Sequence, residues 1–497
     1  MPLSLIRRGV VAAAPFLFAV GGVLYLATDM AAPAGAYARP LLVALALAAV
    51  CFGALWLVTR SMEWASVLSS ALMLFTFRLV VPALVLVAIA VWWVAVSRLR
   101  RAGGKPKPDP SIPGQLAILT ALAGLGLAVV TGWSTVLALT GPSPAFRVPE
   151  YESTGSGGPN IYVMLLDGYP RSDTLSDTFG IDNEGFLTEL ESMGFVVSSD
   201  ARSNYPKTWT TLASAFNGTY VDRMLPEGPL PISGTEQIRW LSRLINEASL
   251  LDMLRERDYA VRTIPSLLVS TALTSADEYL DLGHLTEVEV KLITRSPWTM
   301  LARDQVAEFL MSDHHTAVLE SLESTAAFAE ERDDRPQFVF SHIPSPHTPF
   351  VLGQDESGKF EAQPCFPLEC TSWHPTMEDL QMEFGDYRDG LTGQVRELDR
   401  LLLDTVRRMV AADPEALIVL MSDHGIRYSR EEVPEHYKTL LVARAPDGTS
   451  LFADDESPVN VFRKIAAHVG ADVDPLPYEQ WGGIWDTYLD YELLERE

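Results

Sequence analysis

Asp423-His424-Gly425 closes an apolar run at 416–422, and Asp167 closes another at 161–166. A carboxylate at one strand end and a carboxylate–imidazole pair at another form a donor set for a divalent metal of borderline hardness. Gly425 would let the backbone turn sharply past those ligands. A third element is S-N-Y-P-K-T-W-T-T-L-A-S-A-F-N-G-T-Y at 203–220. Pro206 breaks the chain, and Thr208 to Phe216 then reads as a short helix with Thr208 in its first turn. A hydroxyl there feels the positive end of the helix, whose free N–H groups bind anions. Activated by a metal, it is a nucleophile for phosphorus. The competing reading makes Thr208 an N-cap, and Thr210 and Thr211 are local rivals. The fourth element, S-H-I-P-S-P-H-T-P-F at 341–350, carries His342 and His347 between prolines that fix an extended loop. A cationic His there binds a phosphoryl oxygen or protonates a leaving alkoxide; a purely structural His is the alternative. His436, Lys438 and Asn204 are further substrate-binding candidates, with solvated or structural roles as the alternative for His436 and Lys438. Asn217-Gly218-Thr219 resembles a glycosylation sequon but ends the expected Thr208 helix, so it reads as structural.

These residues need a frame. Continuous apolar runs recur at 161–166, 337–343, 416–422 and 439–445, the pattern of strands covered on both faces. Helical periodicity lies between them. In 384–411, Leu391, Val395, Leu398, Leu402, Val406 and Met409 form one apolar stripe. Alternating strands and helices predict a doubly wound, mostly parallel α/β sheet, with the ligand site at the carboxyl ends of its strands. The expected catalytic domain is 160–497, behind a Pro/Gly/Ser-rich linker at 141–159.

Ahead of the linker the chain changes character. Of 38 Lys/Arg, 11 fall in residues 1–150, but only 4 of 64 Asp/Glu do. The remainder is strongly acidic, and the pI of about 4.7 excludes a nucleic-acid partner. Hydrophobic residues at 48% and a mean hydropathy of +0.12 exclude a disordered chain. Residues 9–28, 40–58 and 115–139 are each long and apolar enough to span a bilayer. The run 64–97 is interrupted by Arg78 and Pro82. Arg7 and Arg8 precede the first span, and Arg98, Arg100, Arg101, Lys105 and Lys107 follow residue 97. The positive-inside rule puts both clusters in the cytoplasm, so an even number of crossings separates them. Run 64–97 therefore counts as two, with Arg78 at an outer turn. Five transmembrane helices in a membrane domain at 1–140 follow, in a multi-pass plasma-membrane protein with an extracytoplasmic catalytic part. Four spans with a cytoplasmic catalytic part is the alternative. The first span has signal-peptide features but reads as an anchor. Of three cysteines, Cys365 and Cys370 stand close enough for a local disulfide in an extracytoplasmic loop, with two free thiols as the alternative.

Together and in this order, the strand ending in Asp167, N-Y-x-x-T-x-x-T-L-A-S-x-x-N, S-H-x-P-x-P-H-x-P-F and S-D-H-G resemble the sulfatase-like branch of the alkaline phosphatase superfamily. Within it, the chain is similar to the membrane-anchored phosphoglycerol and phosphoethanolamine transferases, the group of lipoteichoic acid synthase. That resemblance implies that Asp167, Thr208, Asp423 and His424 are metal ligands, that Thr208 is the nucleophile that becomes phosphorylated, and that His347 binds substrate. It implies a membrane phospholipid as donor and a cell-envelope glycan or glycolipid as acceptor. There are departures. P-K-T-W-T-T-L replaces the C/S-x-P-x-R of formylglycine sulfatases. None of the nine His has an Asp four residues before it, so one metal is expected rather than two. Asp167 stands where several lipid-headgroup transferases have Glu. Two carboxylates, an imidazole and a hydroxyl suit zinc or manganese better than calcium or magnesium. A hydrolase of phosphate or sulfate esters and a non-catalytic membrane scaffold are the competing functions.

Overall fold

The computed structural model describes residues 3–496 apart from 29, 103–110, 141–144, 153–154, 229, 232, 332, 354–375, 381, 430–433, 484–488 and 490. Cys365 and Cys370 lie outside the described residues. The chain forms two compact units: Met1–Pro142 with Glu287–Val306, and Ser143–Thr286 with Ala307–Glu497.

The first unit is a helical bundle: α1 (Leu3–Ala27), α2 (Ala38–Thr59), α3 (Met62–Thr76), α4 (Val80–Ala102) and α5 (Ile112–Thr140). The spans Ile6–Leu26, Ala34–Thr59, Val80–Ala102 and Ile112–Leu137 are long and apolar enough to cross a membrane. The exposed flanks of α2, α4 and α5 are Leu, Val and Trp, among them Val58, Val81 and Trp133. Such surface is stable only in lipid, and the chain is a membrane protein. The run 64–97 breaks at Phe77–Leu79, where Arg78 takes a left-handed φ of 64°, which separates α3 from α4. At 15 residues, α3 is about 22 Å long, short of a hydrocarbon core of about 30 Å. It packs against the other four helices, with Ala65, Ser66, Val67, Ser69, Ser70, Ala71, Met73 and Leu74 buried. Its first turns lie level with Val11, whose carbonyl accepts the Ser66 hydroxyl at 2.6 Å. Beyond its end, the Phe77 ring crowds Gly22. Short as it is, α3 runs beside α1 and delivers Arg78 to the bundle end opposite Arg7 and Arg8.

The second unit is built on a seven-stranded sheet of order β2-β7-β6-β1-β5-β3-β4. Its strands are β1 (Ile161–Leu166), β2 (Val196–Val197), β3 (Ala260–Ile264), β4 (Glu278–Tyr279), β5 (Gln337–Ile343), β6 (Leu417–Met421) and β7 (Leu441–Arg444). Strand β1 lies between β5 and β6 and is parallel to both, and β3 continues the parallel set beside β5. Every residue of β1, β5 and β6 is buried, as the unbroken apolar runs require. One face carries the helices Phe384–Ala412 and Arg303–Glu330, whose Leu391, Leu398, Val318 and Leu322 join Tyr162, Met164, Val339 and Ile418 in one core. On the other face, Phe216 of helix Thr208–Asn217 packs its ring 5.1 Å from Phe340 and 4.8 Å from Phe462. Strand β7 differs from the parallel direction its apolar run predicts. It pairs antiparallel with β6 and with β2. Between β6 and β7 only a 3₁₀ turn, Pro434–His436, is described, and a parallel return needs a crossover of a dozen or more residues, usually helical. A separate antiparallel pair, β8 (Glu479–Gly483) and β9 (Tyr491–Arg496), closes the chain.

Candidate metal centre

Three parallel strands end side by side, and their carboxyl ends carry the chemistry. Asp167 follows β1 directly, and its N–H bonds to the Ile343 carbonyl at the end of β5 (3.0 Å). Asp423 and His424 follow β6 by two and three residues. Ligand atoms of Asp167, Asp423 and His424 lie within 4.8 Å of one another, and all three residues are buried. His424 Nε2 stands 3.5 Å from Asp167 Oδ1 and 3.4 Å from Asp423 Oδ2. His342, near the end of β5, brings its Nε2 to 3.4 Å from Asp167 Oδ2, while its Nδ1 meets the hydroxyls of Ser266 (3.1 Å) and Thr271 (3.4 Å).

Proton positions follow from the outer partners. His424 Nδ1 lies 2.8 Å from the Gly425 carbonyl, so it donates, and in the neutral ring Nε2 presents a lone pair. Burial and the Arg427 cation hold His424 well below its usual pKa, so neutral it stays. A lone pair therefore faces two carboxylates. Asp167 Oδ1, Asp423 Oδ2, His342 Nε2 and His424 Nε2 are all buried without a hydrogen-bond partner. Buried polar atoms are almost always paired, and orphaned ligand atoms of Asp167, Asp423 and His424 within 4.8 Å of one another fit a cation. Burial alone would raise the Asp167 carboxyl, but His347 and His342 outweigh it and hold it well below the usual range. Asp423 goes the other way, raised by burial and by the Asp167 charge.

Thr208 opens the fully buried helix Thr208–Asn217. It is the first helical residue rather than the cap, which is Lys207 in an extended conformation with no side-chain capping bond. Its hydroxyl lies close enough to the Asp423 carboxylate to counter part of the rise that burial imposes on that carboxyl. The rival hydroxyls are committed to backbone: Thr210 donates to the Lys207 carbonyl (3.0 Å) and Thr211 to that of Tyr205 (3.3 Å). The loop before the helix is tied to the cluster by Ser203, whose hydroxyl donates to the Asp423 carbonyl at 2.5 Å.

His347 lines a cleft beside the cluster together with Gly168, His424 and Arg427. Its backbone N–H bonds to the Asp167 carbonyl (3.0 Å), and its ring centroid is 6.3 Å from that of His424. The Ser345–Pro346 and Thr348–Pro349 peptides on either side are cis. Nδ1 donates to the Thr348 carbonyl (2.7 Å), leaving Nε2 to face Arg427 Nη2 at 3.4 Å. Arg427, buried, also reaches the Pro206 carbonyl (3.3 Å) just ahead of the nucleophile helix. It was not among the sequence candidates. Its one signal is its place two residues after Asp-His-Gly.

The remaining candidates have other partners. Asn204 binds the Glu479 carbonyl (3.0 Å) and the Val459 N–H (3.3 Å). Lys438 pairs with Glu435 (2.8 Å) and Asp173 (3.2 Å). His436, pushed by burial down to about 4, contacts the Ser429 carbonyl (2.8 Å) through Nε2. Those contacts anchor loops around the site. The glycines also divide differently from expectation. Gly168 has the left-handed φ, +70°, whereas Gly425 is small because a Cβ would lie 2.0 Å from the Glu435 carbonyl and 2.7 Å from that of Lys438.

Neither a protein-family model nor a curated protein matches this sequence. Solved structures are similar at low identity. The C-terminal periplasmic domain of EcEptC from Escherichia coli matches at 13% identity and a TM-score of 0.42, over 70% of this chain and 97% of its own. BT1596, a 2-O GAG sulfatase, matches at 11% and 0.40 over 64% and 71%. The integral membrane lipooligosaccharide phosphoethanolamine transferase A (EptA) from Neisseria meningitidis matches at 12% and 0.39 over 82% and 69%.

Proposed function

We propose that this protein is a plasma-membrane transferase, with its catalytic unit on the extracytoplasmic side. It moves a phospho-alcohol head group from a phospholipid to a cell-envelope glycan or glycolipid through phosphorylated Thr208. The observation that carries the reading is the buried cluster of Asp167, Asp423 and His424, whose orphaned inward-facing ligand atoms need a cation, with Thr208 opening a buried helix beside Asp423. A scaffold has no use for a buried hydroxyl aimed at such a cluster.

A divalent ion, zinc or manganese, held by Asp167, Asp423, His424 and the Thr208 oxygen, would supply charge that favours the ionised hydroxyl and offsets the transferring phosphoryl group. His342 Nε2 is a further ligand candidate on the Asp167 side. Thr208 Oγ, its proton passed toward Asp423, attacks phosphorus in line, and the bond to the diacylglycerol oxygen breaks. That oxygen takes a proton from water at the cleft, and the hydroxide left behind is neutralised by the proton that His347 takes up in the second step. Arg427 binds the non-bridging oxygens as a cation with forked donors. His347, with Nδ1 committed to Thr348, keeps an Nε2 lone pair in the cleft and accepts the proton of the incoming acceptor hydroxyl. That hydroxyl attacks phosphorus, and Thr208 Oγ leaves and regains its proton. Water in place of the acceptor gives hydrolysis on the same residues.

The test is to incubate the detergent-solubilised protein with phospholipid labelled in the head-group phosphorus and map the modified peptide. Label on Thr208, lost in Thr208→Ala with the fold intact, is the expected result. Undiminished turnover by Thr208→Ala would remove the nucleophile assignment. Adding candidate glycan acceptors then separates transfer from hydrolysis by where the label goes.

A further inference from the structure

The segment Glu287–Val306 interrupts the chain of the second unit yet belongs to the first. It comprises the helix Glu287–Arg295 and a 3₁₀ turn, Pro297–Leu301. Its anchors all lie at one end of the bundle. Glu289 pairs with Arg39 Nε and Nη2, at the start of α2. Trp298 donates its indole N–H to the Thr76 hydroxyl (2.8 Å), and its ring meets Phe75 edge-on at 4.8 Å, both at the end of α3. Leu292 packs on the cluster containing Leu26, Met73 and Phe77. This is the end opposite Arg7, Arg8, Arg100 and Arg101, so the positive-inside rule assigns it to the outer face.

The same turn exposes large apolar side chains: Met300 is 84% exposed, Leu301 78% and Trp298 40%. Immediately along the spanning helices from these anchors, Leu42 and Val43 follow Arg39, and Val81 and Leu84 follow the Phe77–Leu79 break, all exposed. The apolar turn thus meets the rim of a surface that already demands lipid. A Trp with a satisfied N–H beside bare aliphatic groups is the composition of a headgroup-level contact. The segment's charges balance, with Glu287, Glu289 and Asp304 against Lys291, Arg295 and Arg303, so the contact is apolar rather than electrostatic.

We infer that Glu287–Val306 lies on the outer leaflet of the bilayer that the bundle crosses, with Met300 and Leu301 dipping into its acyl boundary. The inference depends on the bundle spanning a membrane and not on the transferase chemistry. The test reads no turnover, so either can fail alone. Full-length protein with Cys51, Cys365 and Cys370 replaced by Ser receives Met300→Cys, or separately Leu301→Cys, labelled with an environment-sensitive fluorophore. It is reconstituted into phosphatidylcholine vesicles containing lipids with a nitroxide either near the ester carbonyls or near the chain ends. The expected result is a blue-shifted emission quenched most by the shallow nitroxide, well above an Arg400→Cys control on an exposed helix. Quenching no greater than that control overturns the inference. So does a blue shift that neither nitroxide quenches, which means a protein partner, or quenching strongest by the deep nitroxide.

Discussion

Asp423→Asn tests the electrostatics of the cluster directly, because the substitution should stabilise the protein without metal while abolishing its response to metal. Ligand oxygens of Asp167 and Asp423 lie within 4.8 Å. At an effective dielectric of about 20, two unit charges at that distance repel by about 3.5 kcal/mol. Asparagine removes the repulsion. Its Oδ1 still accepts the Gly168 N–H, now 3.0 Å from Asp423 Oδ1. In chelator at pH 8, where both native carboxyls are ionised, the variant's thermal midpoint should exceed that of the wild type by roughly 5 °C for a unit of this size. With zinc or manganese at about a thousand times its dissociation constant, the wild type gains about 4 kcal/mol and overtakes, while the variant barely moves. Lowering the pH should narrow the gap in chelator, because protonation of Asp423, raised by burial and by Asp167, relieves the same repulsion. Coincident midpoints in chelator, or a metal shift in the variant as large as in the wild type, would refute the reasoning.

Other perturbations probe the surroundings. Arg427→Met should lower kcat/KM for labelled phospholipid by about 10²–10³, the usual loss for an oxyanion donor, with Arg427→Lys intermediate; steady-state kinetics decide it. Gly168→Ala forces a Cβ to 3.3 Å from the His424 ring at a φ of +70°, costs about 1–2 kcal/mol of backbone strain, and should lower bound metal measured by elemental analysis. Asp399 is raised by burial to about 7 while accepting the Tyr169 hydroxyl at 2.6 Å. A raised carboxyl contributes stability that is complete below the ordinary value near 4 and lost as pH climbs through 7, at most about 4 kcal/mol. Asp399→Asn keeps the acceptor, so its stability relative to wild type should rise from pH 4 to pH 8 in denaturant titrations; a constant difference across that range contradicts the assignment.

This centre is legible in the sequence because doubly wound sheets carry their ligands where parallel strands end, and three of the four long apolar runs are such strands. The helix stripe from Leu391 to Met409 was legible for the same reason: period and burial coincide. Strand β3 was not, since A-V-R-T-I is short and Arg262 interrupts it, satisfied by ion pairs with Glu278, Glu331 and Asp333. The direction of β7 depends on what connects it rather than on its own residues. His342 looked like a candidate for substrate because spacing cannot say which ring turns inward; β5 places it opposite Leu165 of β1, next to Asp167. Arg427 and the Tyr169–Asp399 pair depend on contacts between residues distant in sequence, which single-sequence patterns do not encode.

The excursion at 287–306 has a practical corollary. Cutting the chain in the linker after α5 looks like a clean way to obtain a water-soluble enzyme. Such a fragment would carry away Leu292, Trp298, Met300 and Leu301 without the helices that hold them, leaving a greasy loop prone to self-association. Replacing 287–306 with a polar linker, rather than moving the cut site, removes those side chains from a soluble form.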